Sequence, residues 1–217
     1  MADRYYDTIT PATNFDLVTL AEAKLALGIA TSDTSQDALL TQQITIYSDY
    51  IATLCNRVFA KEKMKERWRE ITHDRVFLSH YPIAKVDDIE SVTRPDGTTL
   101  QTTDYEVELK SGKVGIIGGT GEPISIIYTG GYDLPTEAPP ALKQAALYAI
   151  KFGRMTDAAM RPGIAGIRSL AHKESRVVYH DPNKTQQAAM GAAGSSGATG
   201  LPAPYNILLM HYVRLEV

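Results

Sequence analysis

The chain has 217 residues, with 22 Lys+Arg against 25 Asp+Glu, a single Cys, and 12 Tyr against 4 Phe. With 44% hydrophobic and 22% charged residues it can bury a core, as one domain or two small ones. The formal charge of −3 excludes the global basic excess of a protein that wraps nucleic acid.

Cys55 alone can form neither an intramolecular disulfide nor a Cys-rich zinc site, which fits a reducing compartment or a particle assembled in the cytoplasm. No stretch approaches about 18 consecutive apolar residues, and MADRYYDTIT has no apolar signal-peptide core. The expectation is a soluble, non-exported protein. The tyrosine excess suits half-buried contact surfaces, because the residue joins an apolar ring to a polar tip.

Residues 1–16 are polar and turn-rich and read as an arm. Thr19-Leu20-Ala21-Glu22 has the spacing of a capping box and predicts a short helix stopped at Gly28. TSDTSQD then offers several N-caps before Leu40, Ile44, Tyr47, Ile51, Leu54 and Val58, which recur at steps of four and three and predict a long amphipathic helix. Cys55 reads as a half-buried structural thiol on that helix.

From Lys61 the period changes. In KEKMKERWRE, a strand places Lys61, Lys63, Lys65, Arg67 and Arg69 on one face and Glu62, Met64, Glu66, Trp68 and Glu70 on the other. A helix would stack like charges four residues apart, so strand is preferred. Ile89 and Val92 precede the turn Pro95-Asp96-Gly97, Tyr105, Val107 and Leu109 alternate with charges, and Ser111-Gly112 leads into Val114–Ile117. With Ile124, Ile126 and Tyr128 on one parity, these segments describe a small antiparallel sheet with one wet face.

Pro139-Pro140 opens another helix, with Leu142, Ala145, Ala146, Ala149 and Phe152 on a narrow face and a break from Met155. A strand over Arg176–Tyr179 follows, then a linker over 181–200 whose part AAMGAAGSSGATG is small and flexible. In the last segment Tyr205, Leu208, Leu209, Tyr212 and Leu215 fall on one helical face, as a tethered docking element would.

Chemical motifs are sparse. Gly118-Gly119-Thr120-Gly121-Glu122-Pro123 matches neither phosphate-loop pattern and reads as a hairpin turn. The histidines at 73, 80, 172, 180 and 211 lack ligand spacing and read as packed or solvated imidazoles, and Asp87, Asp88 and Glu90 as a solvated strand edge. No catalytic residue, metal site or cofactor is expected. Charge placement says more: residues 87–137 hold ten acids and three bases, a net of −7, while residues 151–176 hold six bases and two acids, a net of +4. Such polarity suits head-to-tail packing of copies, with two solvated faces as the plain alternative.

The opening DLVTLAEAKLALGI with SQDALLTQQITIYSDYIATLCNRVF resembles the start of the head-tail connector (adaptor) proteins of tailed bacteriophages and gene transfer agents. The likeness continues through YPIAKVDDIESVTRPDGTTL, IYTGGYDLPTEAPPALKQAALYAIKFGR and GIRSLAHKESRVVYHDP to the closing Leu-Pro and tyrosine-containing segment.

The resemblance implies an α+β fold: a small helical bundle (17–60 and 136–180) with an inserted antiparallel β-sheet region (61–135), an arm (1–16), and a flexible linker (181–200) leading to a C-terminal docking segment (201–217). It implies a structural, non-enzymatic virion protein of the neck, assembled in the host cytoplasm. Such proteins form a ring, usually of twelve subunits, under the portal protein, with a stopper or tail-completion protein on the other side.

Double-stranded DNA passes through the lumen without sequence-specific binding, and no membrane is involved. Leu201, Tyr205, Leu208, Leu209, Tyr212 and Leu215 are the implied portal-binding positions, and the long Gly/Ala/Ser linker departs from the family pattern. The face of Lys61, Lys63, Lys65, Arg67 and Arg69 has two roles open to it, phosphate contact in the lumen or contact with an acidic neighbour. The alternative function is a DNA-binding packaging or head-completion factor that uses that face.

Overall fold

The computed structural model describes residues 4–69, 75–117, 123–159, 169–172, 175–178 and 209–214. Thr19 caps helix α1 (Leu20–Leu27) as its spacing predicts: its Oγ1 accepts from the Glu22 N–H at 3.1 Å, and Glu22 Oε2 accepts from the Thr19 N–H at 2.7 Å. Burial by itself would raise the Glu22 carboxyl, but the Lys143 ammonium at 2.8 Å and the Thr19 donors outweigh it and hold it below its ordinary value. Gly28 closes the helix in the left-handed region at φ 70°.

Helix α2 (Asp37–Leu54) starts without a side-chain cap, because Asp33 bonds the Ser35 N–H and hydroxyl in its own turn. Asp37 instead places a negative charge on the helix N-terminus, 2.6 Å from the buried Lys24 ammonium. The predicted stripe buries Leu40, Ile44 and Ile51, but the helix stops before Val58, which is 37% exposed. Cys55 is the C-cap and fully buried, not half-buried within the helix, and Asn56 turns the chain at φ 49°.

Helix α3 (Pro140–Ala159) opens at the proline pair and buries Leu142, Ala145, Ala146 and Ala149. It runs past the expected break at Met155, since no glycine or proline intervenes before Pro162. The three helices pack pairwise. They belong to one compact unit, Val18–Cys55 with Pro139–Val213; the other comprises Met1–Leu17, Asn56–Ala138 and Arg214–Val217.

That second unit holds two antiparallel sheets rather than one. The first has strand order β1-β2-β7-β4, from β1 (Arg4–Thr10), β2 (Glu62–Trp68), β7 (Ile124–Gly130) and β4 (Ile89–Thr93). In the second, β6 (Lys113–Ile116) lies between β3 (Arg75–Phe77) and β5 (Tyr105–Glu108). Inner faces of both supply one core: Met64, Trp68, Ile126, Tyr128 and Val92 from the first, Val76, Val114, Ile116 and Tyr105 from the second.

One sequence expectation changes here. Within the segment read as an arm, Arg4–Thr10 forms an edge strand on β2. The glycine-rich stretch 118–122, read as a hairpin turn, lies outside the described residues; the strands on either side of it, β6 and β7, belong to different sheets. A short hairpin, β8 (Ser169–His172) with β9 (Ser175–Val178), belongs to the helical unit and covers part of the predicted strand at Arg176–Tyr179.

Candidate functional site

Alternation along β2 turns one strand into two chemically opposed surfaces. Outward lie Lys63, Lys65 and Arg67, flanked by exposed Lys61 and Arg69. Their neighbours come from register: Arg67 pairs with Tyr5 of β1 and Ser125 of β7, Lys65 with Asp7 and Ile127, and Lys63 with Thr129. Ser91 and Thr93 of β4 complete the rows beyond Ile127 and Ser125.

Lys63 and Arg67 meet carboxylates among the described residues. Lys63 Nζ is 2.6 Å from Glu90 and Arg67 Nη2 is 3.4 Å from Asp7. The Arg69 guanidinium lies 5.1 Å from the centre of the Tyr5 ring. A shallow open depression at one end of this face is lined by residues that include Tyr5, Asp7, Arg67, Arg69, Arg94 and Ser125.

Inward, β2 buries two carboxylates among the apolar residues. Glu66, with no exposed surface, takes the Nε–H of Arg4 at 2.9 Å and its Nη2, the backbone N–H of Ser79 at 2.8 Å, and the Tyr128 hydroxyl. Glu62 takes the Ala12 N–H at 3.0 Å and His80 Nε2 at 3.0 Å. A carboxylate can only accept, so the ring proton sits on Nε2.

His80 Nδ1 is buried with no hydrogen-bond partner among the described residues. Burial, larger than the attraction of Glu62 and Glu66, holds His80 below its ordinary value, with Arg214 pushing the same way. Burial first and the Glu66 charge second push the Tyr128 phenol far above its ordinary value, so it stays a donor. Each carboxylate oxygen of the pair meets one of the protein's own groups, Arg4 on β1, Tyr128 on β7 or the non-strand residues Ala12, Ser79 and His80, so the cluster ties β1 and the Ser79–His80 segment to β2.

The cluster escaped the sequence reading. The one signal was that Glu62 and Glu66 share parity with Met64 and Trp68, which marks their face as the core.

Of the tail positions, Leu201, Tyr205, Leu208 and Leu215 lie outside the described residues, as do residues 160–168 and 173–174 of the basic segment 151–176. Leu209 is 3% exposed and Tyr212 half-buried, in a single turn where the N–H groups of Tyr212 and Val213 both donate to the Leu209 carbonyl. No helix among the described residues is long and apolar enough to cross a membrane, and no group of His, Cys, Asp and Glu among them could hold a metal ion.

Comparison with known proteins places this architecture. The fold is similar to a chain in the neck of an empty GTA particle computed with C6 symmetry, with a TM-score of 0.56 at 13% identity over 98% of this chain and 97% of that one. It is also similar to a chain in the virion of a native gene transfer agent particle, with a TM-score of 0.54 at 14% identity over 98% and 96%. At these identities the likeness is one of fold. No curated protein matches the sequence significantly. The family model of the head completion protein matches residues 16–161, both helical segments and the strands β2 to β7 between them, and the chain belongs to that family.

Proposed function

We propose that this protein is a structural component of a virion neck, a head-tail connector adaptor that forms a ring under the portal and leaves a channel for genomic DNA. The observation that carries the reading is the family match across residues 16–161. The fold shared with a chain of a particle neck over nearly the full length of both chains supports it.

A ring of twelve is consistent with the six-fold symmetry imposed on that neck. Its partners are then the portal protein above, a stopper or tail-completion protein below, and neighbouring copies. Its role is assembly and passage of DNA, with no catalytic step assigned to it.

Residues 201–217 are proposed as the portal-docking segment, reached through a linker over 181–200. Leu209 is buried in the single chain, so docking would exchange that burial for burial against the partner. Particles assembled with residues 201–217 deleted should give heads that do not join tails. Normal tail attachment would overturn the docking role.

A further inference from the structure

We propose that the outward face of the β1-β2-β7-β4 sheet is a contact surface for the phosphate backbone of duplex DNA, read without regard to sequence. The inference rests on the channel reading above and assigns this face to the channel's contents. Among the described residues the β2 row carries five cations, Lys61, Lys63, Lys65, Arg67 and Arg69, against two carboxylates, Asp7 and Glu90, a net of +3 before Arg94 at one end of the face is counted, on a chain whose total is −3.

Around Ile127 the rest of the face is hydroxyl-bearing: Ser91 and Thr93 on β4, Ser125 and Thr129 on β7, and Tyr5 on β1. Lysine, arginine, serine, threonine and tyrosine are the side chains that bond phosphate oxygens. A four-stranded face is broader than the two-stranded ribbon that the major groove admits, so its side chains meet the phosphates along the groove edges and not the base edges within.

An acidic surface of a second copy is the competing occupant. Protein interfaces are depleted of lysine and serine at their centres and enriched in large apolar anchors. Here three of the five cations are lysines, and the central apolar side chain, Ile127, is half-buried in its own sheet. A strand face with a few well-spaced charges also fits a duplex that must slide, because a small number of phosphate contacts steers without gripping.

The test is fluorescence anisotropy of the full-length protein with a labelled random-sequence duplex, repeated across a salt series. With about three phosphates neutralised, affinity should fall about 40-fold between roughly 50 and 200 mM salt. The triple variant Lys61→Gln, Lys65→Gln, Arg69→Gln brings the β2 row into balance with Asp7 and Glu90 and should lose most of that salt dependence and bind at least about tenfold more weakly at the low-salt end. Arg75→Gln with Lys113→Gln, on the outer face of the other sheet, is the control and should bind as the parent does.

Absence of duplex binding by the parent would overturn the proposal. So would an unchanged salt slope in a triple variant of parental circular dichroism, or a variant that loses self-association while keeping DNA binding. Particles carrying the triple variant should still join tails, so this face can fail its test while the neck role stands, and the reverse.

Discussion

Glu66 has no exposed surface, and Arg4, sixty-two residues earlier, holds its Oε2 through both Nε and Nη2. Removing the guanidinium leaves a carboxylate in the core with the Ser79 N–H, the Tyr128 hydroxyl and the charge of Arg214 to stabilise it. Breaking a buried pair from one side costs about 3–5 kcal/mol. Arg4 retains some solvent contact, so Arg4→Ala is expected near the lower end, read as a shift in the urea midpoint. Adding Glu66→Gln removes the stranded charge, so the double variant should be more stable than Arg4→Ala alone; equal or lower stability would show that the ion pair is not what holds β1.

His80 gives the same cluster a pH dependence. Its folded value lies below the ordinary 6.5, so at mildly acidic pH the unfolded chain binds more protons than the folded one. Stability therefore rises with pH up to about 6.5 and falls on acidification below it, by at most about 1.4 kcal/mol per pH unit from this group. Urea midpoints of the parent and His80→Gln, measured from neutral pH down to about pH 5, should converge as the pH falls, since the amide does not titrate. Parallel curves would remove His80 from the acid response.

What the sequence made legible here was local. The capping box at Thr19–Glu22, the α2 stripe and the parity of Lys63, Lys65 and Arg67 all follow from periods of 3.6 or 2 within one element, and the structure keeps them. What escaped was long-range choice of partner. Parity places Glu66 on the face of Met64 and Trp68, but its partners arrive from Arg4, Ser79 and Tyr128 on other segments. The carboxylates that bridge Lys63 and Arg67 likewise come from β4 and β1. β6 and β7, consecutive in the chain, also take their partners in different sheets, a choice that local turn chemistry does not reveal.

Arg57 sits in an aromatic enclosure, its guanidinium 3.5 Å from the centre of the Tyr81 ring and 5.0 Å from that of Phe59, with Nη2 donating to the Tyr81 carbonyl. Arg57→Met keeps much of the volume and loses both the charged hydrogen bond and the ring attraction, together about 2 kcal/mol after desolvation is offset. Arg57→Lys should recover less than half of that, because an ammonium cannot lie flat on the ring while reaching the carbonyl. Chemical denaturation of the three proteins checks the order; a lysine variant as stable as the parent would mean that charge alone matters at this site.

Gly131 and Gly97 separate two costs of a side chain. Both have positive φ, 107° and 87°. At Gly97, in the turn after Pro95, an added Cβ meets nothing within 4 Å, so Gly97→Ala carries only backbone strain, about 1–2 kcal/mol. At Gly131 the same Cβ would press on the Ala60 carbonyl, 2.7 Å from its carbon and 3.0 Å from Lys61 Cα, where the backbone is tied by the Lys61 N–H to the Tyr132 carbonyl at 2.9 Å. Overpacking against a fixed backbone adds about 1–3 kcal/mol. Gly131→Ala should therefore lose roughly twice as much stability as Gly97→Ala in parallel urea titrations. Equal losses would mean that the segment leading into β2 yields, and that the junction of Ala60 with Tyr132 is looser than its hydrogen bonds imply.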